Sequence, residues 1–212
     1  MPKIKITTKP PHVDMTPMVD LFAVVLIFLM LTTTFRITEP GQVDTPYSVS
    51  ESPILDFNIM TVVISNDGRV FFNVDNGPDT ILKFRQKILA EMGGRYGIEF
   101  TQQELTKFGN YPASIGVPIE RMKEFLAIDE PLEKAAFQTG IPVDSLDNQL
   151  GMWVLYARQV NPAVNASIKG DANVEFPVVK RVLDILQDRN VNRFNLITSL
   201  RSADVKLDEI PE

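Results

Sequence analysis

The chain has 212 residues, of which 44% are apolar and 23% charged, an ordinary balance for a folded protein with room for one domain and an accessory segment. Its net charge of −6 argues against a general nucleic-acid binder, which needs a basic surface to displace counterions. With no cysteine and a single histidine, His12, a thiol nucleophile and a structural zinc site are excluded and a Ser/His/Asp triad has no support.

The first element in chain order is apolar. The stretch "MTPMVDLFAVVLIFLMLTTTF", residues Met15 to Phe35, carries one acid, Asp20, near its start. Thr16 can cap a helix here, and Pro17 fits the first helical position, where its missing N–H costs nothing. From Met18 to Phe35 the helix would run roughly 27 Å at about 1.5 Å per residue, just enough for a hydrocarbon core of about 30 Å.

Three readings compete for this segment. A cleaved signal peptide would end in small residues of an A-x-A-like pattern, and "LTTTFRITEP" has none. A buried helix of a soluble protein would show a polar face, and none exists between Leu21 and Leu31. A retained transmembrane helix over residues 17–36, preceded by a tail of residues 1–16, meets neither objection. Lys3, Lys5 and Lys9 precede the stretch against Asp14 alone, whereas acids outnumber bases beyond it, so the N-terminus is expected in the cytoplasm and the remainder translocated.

Asp20 itself has two readings. In a first turn at headgroup level it would simply meet the helix dipole. Inside the membrane boundary it would cost about 2.5–3.5 kcal/mol on insertion scales, as groups in ion pathways and proton relays do. Thr16, Asp20, Val24, Ile27, Leu31 and Thr34 fall on one helical stripe, which makes Thr34 a polar companion on the same face. A lone helix cannot hide the acid, so a second copy or a polytopic partner is expected to cover it.

Residues 37–53 read as a linker without a core of its own, since "TEPGQVDTPYSVSES" is rich in proline and serine. A domain is expected over 54–212. It opens with a β-hairpin, Thr61–Ser65 and Arg69–Val74, turning at Asn66-Asp67-Gly68. Asp67 and Asp75 are read as turn formers. A helical insertion is expected over about 79–161, with helices at Asp79–Met92, from a capping box at Thr101-Gln102-Gln103-Glu104, and at Ile119–Ile128, Pro131–Gln138 and Leu146–Gln159. Trp153 is read as a core anchor, with a partner-binding role as the alternative. A strand–helix–strand unit then follows at Asn165–Lys169, Glu175–Asp188 and Arg193–Thr198, with Phe176, Val179, Val182, Leu183 and Leu186 as the buried stripe. Asp171, in the turn between strand and helix, is read as a turn or cap residue. The fold class is thus α+β: one N-terminal transmembrane helix, a linker and a small α/β domain. Residues 54–200 show no catalytic constellation, and neither GxGxxG after a strand nor a P-loop occurs, so no enzyme is expected.

The residues "VDMTPMVDLFAVVLIFLM" resemble the N-terminal signature of the ExbD/TolR family, in which a short basic tail leads into T-P-x-x-D and then a single transmembrane helix. The motif here is Thr16-Pro17-Met18-Val19-Asp20. The stretch "NASIKGDANVEFPVVKRVLDILQDRNVNRFNLIT" resembles the family's C-terminal strand–helix–strand unit, from which the long helical insertion departs. The resemblance implies a subunit of a proton-motive-force-driven motor in the bacterial inner membrane, with its C-terminal domain in the periplasm. It implies two copies of this chain within an ExbB/TolQ-like polytopic protein and a TonB-like or TolA-like transducer as the recipient of motion. It also implies Asp20 as the protonatable group, with no cofactor beyond the proton as coupling ion. An ExbD role in TonB-dependent transport, a TolR-like role in envelope integrity, a gliding or secretion stator and a merely tethered periplasmic binding domain stay open.

Overall fold

A computed structural model describes residues 15–32, 40–41, 43–48, 57–76, 82–144 and 147–200. The chain divides into two units, residues 1–36 and residues 37–212.

The first unit holds helix α1, Thr16–Thr32, whose residues are all exposed. Thr16 is its first helical residue and Pro17 its second, one position later than the capping pattern predicts. Met15 serves the N-terminus instead, its carbonyl accepting from the N–H groups of Met18 and Val19 at 3.1 Å each. At 17 residues, α1 is about 25 Å long. Among the described residues no helix is long and apolar enough to cross a membrane. The expected span of residues 17–36 is therefore described only as far as Thr32.

The second unit is built on a four-stranded sheet. Strands β2 (Ile59–Ile64) and β3 (Val70–Val74) form the predicted antiparallel hairpin, with Ile64 opposite Val70. Its turn needs the left-handed Gly68, at φ 79°, beside Asp67, whose carboxylate accepts from Arg69 Nε at 2.5 Å. Strand β4 (Asn165–Gly170) pairs in parallel with β2, and β5 (Phe194–Leu196) in parallel with β4, giving the order β3-β2-β4-β5. Because β2 and β4 are neighbours, the whole helical region is the crossover between them.

That region contains α2 (Phe84–Tyr96), α3 (Gln102–Asn110), a single 3-10 turn at Ile119–Arg121, α4 (Met122–Ala127), α5 (Pro131–Phe137) and α6 (Gln149–Val160). The capping box at α3 is present: Thr101 Oγ1 accepts from Glu104 N–H, and Glu104 Oε2 accepts from Thr101 N–H at 2.7 Å. The helix expected at 119–128 is instead split at Met122 into a tight turn and a short helix. Residues 79–81 and Leu146, expected in the first and last of these helices, lie outside the described residues.

Helix α2 packs on α3 and α6, and α6 on β3 and on α7 (Phe176–Asp188). One core unites these helices with the sheet, joining Met60, Phe72 and Ile168 to Leu89, Phe108, Trp153 and Leu186. Trp153 is 2% exposed, stacked 5.9 Å from Phe108 and tilted 6.0 Å from Phe72. It is a core residue, and burial removes it as a surface anchor for a partner. Phe176 is corrected in the opposite sense. It is 71% exposed, because it begins α7, while burial starts a turn and a half later at Val182 and continues with Ile185 and Leu186.

The linker also differs from its reading. Tyr47–Ser48 forms strand β1, parallel to β6 at Ser199–Leu200. Gly41 is buried against the Phe71 ring, where an added Cβ would lie 2.8 Å from Phe71 Cε2. The described residues of 40–48 thus form a strap on the domain. A glycine flat enough to pass over an aromatic ring does what the polar composition around it does not announce.

Candidate functional site

The motif Thr16-Pro17-Met18-Val19-Asp20 occupies the first five positions of α1. Proline there needs no N–H partner, since the first-turn donors have none within the helix. Asp20 follows Thr16 by one turn and is the only charged residue of α1. From Leu21 to Leu31 the helix is apolar on every side, and its remaining polar end group, Thr32, returns its hydroxyl to the Leu29 carbonyl at 3.2 Å. Among the described residues no cation pairs with this carboxylate. Thr16, Pro17 and Asp20 are therefore brought together on one helix end, whereas Thr34 lies outside the described residues.

Three of the domain's acids have structural work. Asp75 accepts from Asn58 N–H at 3.0 Å, and Asp67 closes the hairpin turn. Asp171 holds the turn before α7 by accepting from Asn173 N–H at 2.8 Å, as its position implies. Its second oxygen accepts from Asp44 N–H at 2.8 Å, and Ala172 N–H donates back to the Asp44 carbonyl at 2.9 Å. Those bonds, first from Asn173 and then from Asp44, hold the Asp171 carboxyl below the usual range. Asp171 is thereby the clasp of the strap, a role its sequence context does not signal. Among the described residues no group of three or more His, Cys, Asp or Glu side chains could hold a metal ion.

Sequence reasoning also missed the polar groups inside the helical region. Arg85 is buried beneath the Phe108 ring and donates to the carbonyls of Tyr111 and Ala113. Burial pushes its pKa down to about 10, leaving it a cation at neutral pH. Gln138 accepts from Gly116 N–H at 2.6 Å and donates to the Tyr111 hydroxyl at 3.0 Å, while Gln149 accepts from Ile119 N–H at 2.9 Å. These groups pin irregular backbone to helices, and none meets a second reactive side chain in an open cleft.

The chain is thus defined as an α+β domain bearing a separate apolar N-terminal helix with one carboxylate near its start. Over residues 7–107 it matches the model of the family described as biopolymer transport protein ExbD/TolR. The matched residues include the motif, the hairpin, α2 and most of α3; the strand–helix–strand unit at 165–200 lies beyond them. No curated protein and no solved structure matches the chain. That description makes the family one of biopolymer transport.

Proposed function

We propose that this chain is the single-helix subunit of a proton-driven motor of the ExbB–ExbD type, which energises TonB-dependent transport across the outer membrane. In this reading α1 spans the inner membrane, two copies stand within an ExbB/TolQ-like partner, and the C-terminal domain acts in the periplasm on a TonB-like transducer. Asp20 takes up and releases the coupling proton. The observation that carries the proposal is the placement of Asp20: the sole charge of an otherwise apolar, exposed helix, one turn after Thr16-Pro17, inside the family-matched residues. A proton crossing 100 mV releases about 2.3 kcal/mol, so a carboxylate alternating between charged and neutral forms can couple flow to a conformational step. A partner must cover α1 for that alternation to be sheltered from lipid.

The test is complementation of energy-dependent uptake with Asp20→Asn, with membrane insertion and assembly verified for the variant. Asparagine keeps shape and polarity but cannot ionise, so uptake is expected to fail, and Asp20→Glu is expected to restore part of it. Normal uptake by an assembled Asp20→Asn protein would reduce α1 to a tether. A TolR-like role in envelope integrity shares the same proton site. It predicts outer-membrane leakage rather than loss of nutrient uptake in the same variant, and the two phenotypes separate the roles.

A further inference from the structure

At the end of the sheet where β2 and β4 begin, the surface opens into a cleft of about 310 Å³. Its polar wall comes from three elements: Arg158 in the last turn of α6, Asn165 at the first position of β4, and Asn190, Asn192 and Arg193 in the loop from α7 to β5. Met60 and Val191 contribute apolar surface, and among the described residues no acidic side chain lines the cleft.

The ion pairs among the described residues are Arg69–Asp67, Lys107–Asp129 and Arg121–Glu124, so neither Arg158 nor Arg193 belongs to one. In a chain of net charge −6, two guanidinium groups thus line one cleft to which the described residues bring no carboxylate. A purely structural role would be to cap helix carbonyls. Arg158 does donate Nη1 to the Arg189 carbonyl at 2.5 Å. That bond engages one of its five N–H groups and fixes the fork. Asn165 Nδ2 donates to the Ala163 carbonyl at 3.4 Å and Asn190 takes the left-handed position after α7 at φ 59°, which leaves Arg193 and Asn192 without a structural role among the described residues.

We propose that this cleft binds a carboxylate carried on a peptide. A guanidinium fork matches a carboxylate in bidentate geometry, and asparagine side chains, each with donor and acceptor, match the amides that flank it in a peptide. The strap is clasped at the other end of the same strands, where Asp171 N–H donates to the Ile64 carbonyl, so a peptide in the cleft leaves the strap in place. The carboxylate belongs either to an acidic side chain or to a chain terminus. The site is built wholly from residues of the second unit and does not rest on the role of Asp20.

The experiment titrates the full-length chain in detergent with three labelled short peptides, read by fluorescence anisotropy. One has two glutamates and an amidated end, one has glutamines and a free C-terminal carboxylate, and one has glutamines and an amidated end. At least one charged peptide is expected to bind saturably and the neutral one not to bind; the charged peptide that binds identifies the source of the carboxylate. Arg193→Gln, at an exposed position, is expected to weaken binding about tenfold or more. Lys180→Gln, exposed on α7 outside the cleft, removes the same charge and is expected to leave binding unchanged. The side-chain amide signals of Asn165, Asn190 and Asn192 should shift together on binding. Equal binding of the neutral peptide, equal loss in the two variants, or no saturable binding into the millimolar range would each overturn the proposal.

Discussion

Trp153 offers a sharp test of the packing argument, because its side chain is buried while its indole nitrogen, Nε1, has no hydrogen-bond partner among the described residues. The ring packs between Phe108 and Phe72 and is the only tryptophan in the chain. Trp153→Ala removes all of this, and burial of that degree sets the loss at about 3–5 kcal/mol. Trp153→Phe should behave very differently. It vacates about 40 Å³, worth about 1 kcal/mol at about 24 cal/mol per Å³ of cavity. Against that, it removes a buried donor whose desolvation costs about 1–3 kcal/mol when unsatisfied. The donor term equals or exceeds the cavity term, so the phenylalanine variant is expected between the parent's stability and about 2 kcal/mol above it. Urea unfolding followed by far-UV circular dichroism measures both variants without relying on indole fluorescence. A loss of 2 kcal/mol or more in Trp153→Phe would refute the reasoning, since it would require Nε1 to be satisfied in the folded protein.

Two further predictions concern the strap and its clasp. Phe71 is fully buried between Gly41 and Gly116, and a Cβ at Gly116 would fall on its ring, so Gly116→Ala is expected to cost about 1–3 kcal/mol in the same unfolding assay. The carboxyl of Asp171 is held below its ordinary range, so its contribution is complete above about pH 4 and is lost as pH falls through the depressed folded value. Hydrogen exchange should therefore show the Asp44 amide losing protection in acid, and Asp171→Ala should remove that protection already at neutral pH. A protected Asp44 amide in Asp171→Ala would mean that β1, the Ala172–Asp44 backbone bond and the Gly41 packing hold the strap without the carboxylate.

Local signals carried much of the fold. Asp67-Gly68 between β-branched runs located the hairpin, and Thr101 with Glu104 located the start of α3, because each is a short pattern with its own hydrogen bonds. Phe176 was misplaced since periodicity assigns a face but not where along the helix a neighbour covers it. The strap was illegible for a related reason. Its docking depends on the Phe71 ring and the Asp171 carboxylate, both remote in sequence, while its own residues have the composition of a tether. Of the candidate site, the motif through Asp20 was readable because it is contiguous. The clasp and the basic cleft are assembled from separate elements, and no contiguous stretch encodes either.

The pairing of Ile59 with Asn165 also governs how the domain is made. The central strand must wait for a partner synthesised roughly a hundred residues later, and at about 5–20 residues per second that interval is on the order of 5–20 s. Throughout it, β2, with the sequence Ile-Met-Thr-Val-Val-Ile, can gain the hairpin on one edge but keeps the other edge open. Such a strand is a ready template for another nascent chain. Long-range closure of this kind makes folding slow, so the yield of this protein should depend on the rate at which the chain emerges more than on the final stability of its core.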